Sequence, residues 1–365
     1  MNVCIIGDGL ASLSLAKNLI NKKINVHIYK QKKINNFSSN RTIGIAKNNL
    51  EFFKNEILRF SKKDIWEIKK IDIYSEKLKD SKILNFEKNK NNLFYMVKND
   101  KFYKLLNSKL LKSKFFKKKL IKTDNFYKKL LKEDRYDLII NCDSNNPLSK
   151  KYFSKTIDKN YFNTAYTTIL KHKEIKNDTA IQIFTKFGPI AFLPISKFET
   201  SVVYSIDSKN KKYSKNEVLD LINNYNPKFK IKKILKLTSF ELKSSNLRNY
   251  YYKNILAFGD VLHRIHPLAG QGFNMTIRDI KILSSLIQKQ IDLGIQLDTF
   301  ILDKFEKKTK HMNFIFSNGI DFIYELFNFD KKSKDKSINK ILKLLSKNKT
   351  LTNTFIKFAD SGLNS

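Results

Sequence analysis

Cysteine is almost absent from this chain: Cys4 and Cys142 are the only two. Both stand in apolar, strand-like runs, so buried thiols are expected rather than a disulfide. No run of 18 or more apolar residues occurs, which leaves no candidate for a transmembrane helix. Met1 leads almost directly into the apolar run VCII, so neither a secretory leader nor an Arg/Ser-rich transit segment is expected. Acidic residues are outnumbered, 34 Asp and Glu against 71 Lys and Arg, for a formal charge of +37. Such a charge invites a nucleic-acid partner. Arginine, however, is limited to Arg41, Arg59, Arg135, Arg248, Arg264 and Arg278. The lysines are spread along the chain, and no zinc-finger, basic-zipper or RNP-like pattern appears. Glycine and proline are scarce as well, at 10 and 5, while Lys, Asn, Ile and Phe abound. That joint bias follows AT-rich codons, so no nucleic-acid partner is expected. Attraction to an anionic membrane surface stays compatible with the charge.

What is present is a globular composition, with 41% hydrophobic residues and a length sufficient for one large core or two smaller ones. The opening VCIIGDGLASLSLAKNLINKKINVHIY predicts a strand at Val3–Ile6, a tight Gly turn, an amphipathic helix over Leu10–Asn21 and a strand at Val26–Tyr29. YDLIINC (136–142) and KNILAF (253–258) predict two further buried strands. The stretches 68–75, 163–173, 179–195 and 201–206 alternate or are β-rich, and the chain from about Phe300 is helical in pattern. The expected architecture is α/β: a discontinuous nucleotide-binding domain (1–70, 96–160, 250–300), an inserted β-sheet substrate domain (71–95, 161–249) and a helical C-terminal region (301–365).

Two segments carry chemistry. Gly7-Asp8-Gly9-Leu10-Ala11-Ser12 is a G-x-G-x-x-S between a strand and a helix. Gly7 permits the turn, Gly9 lets backbone approach a pyrophosphate, and Leu10 and Ala11 open the helix whose N-terminus favours that anion. An acidic residue is expected about 20 residues on, at the end of the second strand, to accept hydrogen bonds from a ribose. Lys30 stands there instead, and an ammonium accepts none. Lys30→Glu is therefore expected to tighten dinucleotide binding. The second segment, GDVLHRIHPLAGQGFNMTIRD (259–279), joins a strand to a helical pattern at Phe273, Ile277, Ile280, Leu283 and Ile287. Asp260 can accept hydrogen bonds from a polyol, Pro267 stiffens a turn, and Gly270-Gln271-Gly272 opens a helix whose free N–H groups favour negative charge. The residues alone leave two readings open, a flavin segment or a structural loop with a helix cap. His263 and His266 are not joined by a ligand set for a metal, so no metal is expected.

Gly259–Asp279 resembles the second flavin motif of the class A FAD-dependent aromatic hydroxylases, in particular the ubiquinone-biosynthesis branch, where it reads roughly GDAAHxxHPLAGQGxNLGLRD. Other pieces fall in order along the whole chain: NRTIGIA (40–46), NLFYMVKNDKFYKLL (92–106), AIQIFTKFGPIAFLPI (180–195) and LTNTFIKFADSGL (351–363). The family's middle motif, roughly ADGxxSxxR, aligns with Cys142–Lys150. Asp143 is kept, whereas Ser144, Pro147 and Lys150 replace its Gly, Ser and Arg.

The resemblance implies a Rossmann-like FAD-binding domain and hydroxylation of a prenylated phenol by O2 through an NAD(P)H-reduced flavin and its C4a-hydroperoxide. It implies FAD contacts at Gly7, Gly9, Leu10, Ala11, Lys30, Arg41, Asp260, Gly270, Gln271, Gly272, Phe273 and Asn274. Pro267 forms the ring-side wall, His266 is the acid–base candidate, and the sheet around Phe187–Pro194 covers the substrate. A cytoplasmic location is expected, with peripheral contact at the inner face of the inner membrane and a quinone-biosynthesis complex left open. A basic amphipathic pattern at 338–345 reads as a packed helix or as an interfacial one. The rival reading is a non-catalytic binding or assembly protein that keeps the fold.

Overall fold

A computed structural model describes residues 1–31, 41–76, 82–87, 92–123, 125–266 and 272–332. Pro267, Gly270 and Gln271, and the patterns at 338–345 and 351–363, lie outside the described residues.

The apolar runs that lack alternation form one sheet. Asn2–Ile6 sits at its centre, parallel to Asn25–Lys30 on one side and to Leu138–Asn141 on the other. Phe116–Leu120 extends the first side, while Ile255–Ala257 and then Tyr251–Tyr252 extend the second. Val3 to Ile6, Leu138 to Ile140 and Ile255 to Ala257 are all buried, as strands covered on both faces must be. The helix Leu10–Asn21 packs against the helices Asn99–Leu111 and Gly272–Asp292.

The alternating segments form a second sheet. Its spatial order is 263–264, 238–247, 156–172, 199–207, 188–194, 179–185, 70–75 and 82–87, and Ile231–Ile234 also pairs with the long strand Thr156–His172. The strand expected at 163–173 begins seven residues earlier. Thr179–Thr185 and Gly188–Pro194 close a hairpin in which Gly188 has φ +137 and a Cβ would stand 2.0 Å from the Ser205 carbonyl oxygen. Only glycine fits there. One face of this sheet buries Tyr166, Phe192, Tyr204 and Ile206 with Val218 and Ile222 of the helix Lys215–Asn224, which starts at a Ser214/Glu217 capping box. A small antiparallel sheet of Thr42–Ala46, Phe94–Lys98 and Ile65–Ile68 completes the β structure.

The segment that follows Ala257 ties the two large sheets together. It leaves the parallel sheet, makes a short 3-10 turn at Gly259–Val261, and joins the antiparallel sheet where His263 and Arg264 pair with Asn246 and Ser245. The long helix Thr299–Lys332 packs on the helix Gly272–Asp292.

Candidate FAD site

The Gly turn ends the central strand as its sequence requires. Gly7 has φ +99, and its N–H donates to the Tyr29 carbonyl at 2.8 Å. Gly9 is the N-cap of the helix Leu10–Asn21, with no side-chain cap, and a Cβ built on it would meet nothing within 4 Å. Uncapped N–H groups beside open space are the cradle a pyrophosphate needs. Leu10 is buried in the core, and Ser12, at the third motif position, is fully buried.

Two distant segments close on this turn. A Cβ on Gly7 would lie 3.4 Å from the Asp143 Cβ and from the Cys142 carbonyl carbon. Gly259, at φ +62, comes so near Ala11 that a Cβ there would sit 2.8 Å from the Ala11 methyl. The altered middle motif keeps its turn by other means. The Asn146 amide donates to Asn141 Oδ1 at 2.6 Å and to the Asp143 carbonyl at 2.8 Å, and the Ser149 hydroxyl donates to that carbonyl as well. Asn146 then caps the short helix Pro147–Tyr152, with Pro147 in its first turn. Ser144 accepts from Arg264 at 2.8 Å, which ties the middle motif to the 259–266 segment. Asp260 is exposed on its turn, and its carbonyl accepts from Arg264 Nε.

The start of the helix Gly272–Asp292 is anchored by the Asn274 side chain. Asn274 donates to the Gly44 carbonyl at 3.0 Å and accepts from the Ala46 N–H at 2.9 Å and from the Asn49 amide at 3.0 Å. Its amide is thereby a clamp on the strand Thr42–Ala46, and contact with a cofactor, expected from the sequence, is not what its hydrogen bonds serve. Phe273 stands edge-on to Phe102. Arg41, just before that strand, is exposed and stacks over Phe240 at 4.6 Å.

The two histidines have different surroundings. His263 Nε2 meets Asp279 Oδ2 at 2.5 Å, and Asn313 donates to the other carboxylate oxygen at 3.1 Å, all of it buried. His266 is 1% exposed, lies between Tyr161 and Tyr324 at ring distances of 4.8 and 4.4 Å, and has no hydrogen-bond partner among the described residues on either nitrogen. Burial, and secondarily the Lys159 charge, pull its pKa down to about 3. A general acid–base group works best with a pKa near the operating pH, so this neutral ring is poorly suited to the acid–base role expected of it.

Asp8, Tyr103 and Lys118 carried no weight in the sequence reading. Asp8 is buried between the two motif glycines, accepts from Tyr103 at 3.1 Å, and pairs with Lys118 at 3.2 Å and Lys30 at 3.9 Å. The available signal was reciprocal: an acid inside the Gly motif and a lysine where an acid was expected. Around Phe187–Pro194, Phe192 faces the core against the helix Lys215–Asn224, while Leu193 faces Ile68, Met96 and Trp66.

Residues 147–294 match the family described as FAD binding domain. The chain is 27% identical over 242 residues to ubiquinone biosynthesis monooxygenase COQ6, mitochondrial, of Dictyostelium discoideum, covering 52% of this chain and 49% of that protein. It is 26% identical over 156 residues to 3-demethoxyubiquinol 3-hydroxylase of Escherichia coli K12, covering 41% and 40%. The chain is similar to the class A FAD-dependent hydroxylases. Its sequence likeness falls on their ubiquinone-biosynthesis branch, and the matched region spans about half the length of those curated relatives. The fold agrees. The p-nitrophenol 4-monooxygenase PnpA of Pseudomonas putida DLL-E4 superposes with a TM-score of 0.79 at 12% identity, over 100% of this chain and 98% of that one. HpxO of Klebsiella pneumoniae, solved with FAD and uric acid, gives 0.74 at 12% identity over 100% and 98%. The Rossmann-like sheet, the β-sheet beside it and the helical end of the described chain are thus the class A flavoprotein arrangement.

Proposed function

We propose that the protein is an FAD-dependent monooxygenase that hydroxylates the aromatic ring of a prenylated phenol in ubiquinone biosynthesis, with NAD(P)H as electron donor and O2 as co-substrate. One observation carries the reading: the uncapped helix start at Gly9, the Cys142–Asp143 turn and the Gly259–Asp260 turn converge on one place, although 250 residues of chain separate the first from the last. The likeness to a ubiquinone biosynthesis monooxygenase and to 3-demethoxyubiquinol 3-hydroxylase supports the substrate class.

The residues present fit a flavin dinucleotide. Gly9, Leu10 and Ala11 offer backbone N–H groups to the pyrophosphate, while Gly7 and Gly259 allow the three chain segments to approach. Asp260, exposed on its turn, would accept hydrogen bonds from the ribityl hydroxyls. In this reading Arg41, Gly272 and Phe273 serve the flavin-ring end, with Asn274 holding that helix on its strand. Bound FAD would supply the reductive activation of dioxygen; the protein's part is to bind, orient and exclude water. The proposed division is a nucleotide-binding part (1–70, 96–160, 250–300), a substrate part (71–95, 161–249) and a helical end.

Peripheral attachment to the inner face of the inner membrane, and membership of a quinone-biosynthesis complex, belong to the same proposal. The net charge of +37 supports the first. Among the described residues no helix is long and apolar enough to cross a membrane.

Purified protein is expected to be yellow and to release FAD on denaturation. Asp260→Ala is expected to weaken FAD by about ten- to a hundredfold, the value of a lost charge-assisted hydrogen bond. The chain should also restore quinone synthesis in a hydroxylase-deficient strain, with the intermediates followed by mass. Flavin binding without turnover would favour the non-catalytic reading, and protein that takes up no flavin would overturn the proposal.

A further inference from the structure

The adenosine end of the site carries a reversal of charge. The second strand ends on Lys30, where a ribose-binding carboxylate is expected, while the residue between the motif glycines is Asp8. The Gly7 N–H bond to Tyr29 and the pairing of Ile6 with Tyr29 bring residue 8 off the first strand beside the end of the second. The Asp8 carboxylate, 5% exposed, then lies 3.9 Å from the Lys30 ammonium. Lys118, on the strand paired with the second, stands 3.2 Å from the same oxygen, Oδ2, and the Tyr103 hydroxyl donates to it at 3.1 Å. Burial, and then Asp8, push the Tyr103 phenol above its usual pKa, which keeps it a donor. Lys118 also bonds Tyr103 and Asn107, so the group that positions Asp8 is itself held.

We propose that Asp8 is the ribose carboxylate of this chain: the hydroxyls of the adenosine ribose donate to Asp8, and Lys30, Lys118 and Tyr103 orient it. This rests on the FAD reading above. The acceptor required at this place is supplied by the first strand's turn instead of the second strand's end. Lys30, opposite in sign to the acid expected there, is the partner of Asp8. A carboxylate accepts through two oxygens, and the Tyr103 phenol and both ammonium groups meet Oδ2. The two ammonium groups offset the cost of keeping it away from water.

The exchange makes Lys30→Glu a different experiment from the one the sequence suggests. A new carboxylate there would stand against Asp8 and weaken binding rather than strengthen it. The test is equilibrium titration of flavin-free protein, by flavin fluorescence, with FAD, with FAD whose adenosine ribose lacks its 2′-hydroxyl, and with FMN, which has no adenosine. The natural chain should prefer FAD to the deoxy analogue by about tenfold or more. Asp8→Asn should abolish that preference by weakening FAD alone, with FMN affinity and circular dichroism unchanged. Lys30→Glu should weaken FAD, and the exchange variant Asp8→Gly with Lys30→Glu should recover the preference, which keeps the idea testable if Asp8→Asn folds badly. A natural chain indifferent to the 2′-hydroxyl, or an Asp8→Asn protein that keeps the preference, overturns the assignment and leaves the flavin reading intact. Failure of every flavin to bind overturns both.

Discussion

His266 gives the most quantitative handle on the site. Its imidazole is 1% exposed between Tyr161 and Tyr324, with neither nitrogen hydrogen-bonded among the described residues. Burial first, and the Lys159 charge second, hold its folded pKa at about 3, against an unfolded value of about 6.5. The folded pKa is depressed, so below about pH 6.5 the unfolded chain takes up a proton that the folded chain refuses. Stability attributable to the neutral ring is therefore complete above pH 6.5 and is lost progressively as the pH falls toward 3. At pH 5 the window is about 1.5 units, which at 1.36 kcal/mol per unit is about 2 kcal/mol. His266→Phe keeps a ring between the two tyrosines and removes the titration. Urea unfolding of both proteins, from pH 8 to pH 5, should show the natural chain losing about 2 kcal/mol more than the variant. At pH 8 the variant should be the more stable by about 1 kcal/mol or more, because the unpartnered polar atoms are gone. Parallel pH profiles for the two proteins would refute the reasoning, since they would mean that the buried ring is protonated in the folded state or is solvated by water.

Gly259→Ala combines a positive φ with a Cβ 2.8 Å from the Ala11 methyl. It should cost about 2 kcal/mol or more and also weaken FAD, by pushing the 259–261 turn off the helix start; an unchanged urea midpoint and an unchanged affinity would show that the two segments do not touch. Asn274→Leu leaves the Ala46 N–H and the Gly44 carbonyl without their buried partner. A loss of about 2–4 kcal/mol is expected, with faster amide exchange along Thr42–Ala46, and unaltered exchange there would rule out the clamp. Anionic vesicles should retain the protein at low salt and release it as the salt rises, because surface charge is screened within about 8–10 Å. Protein that stays in the supernatant at low salt would assign the +37 charge to composition alone.

Much of this was legible in the chain itself, where the signal is local. Apolar runs marked Asn2–Ile6, Asn25–Lys30, Leu138–Asn141 and Ile255–Ala257 but not the lysine-rich Phe116–Leu120, the helix Leu10–Asn21 was readable from its spacing and its glycine start, and alternation marked part of the second sheet without Thr238–Leu247. The residues of 259–279 left a flavin segment and a structural loop both open, and their resemblance to the family's second flavin motif pointed to FAD. The short strands Thr42–Ala46 and Phe94–Lys98 were not legible as strands, because their pairing partners lie some fifty residues away and five residues carry little periodicity.

Tertiary structure alone decided what the motif residues do. Asn274 became a clamp because the helix start meets a strand 230 residues earlier in the chain. His266 lost its acid–base promise because helix and sheet close over it, and burial is a property of no single segment. The Lys30 deficit became half of an ion pair because parallel pairing sets the ends of the first two strands side by side. The local pattern determined which elements form and where the glycines must stand, since those depend on near neighbours in the chain. The charge, exposure and partners of each site residue depend on long-range contacts, and only the folded chain supplies them.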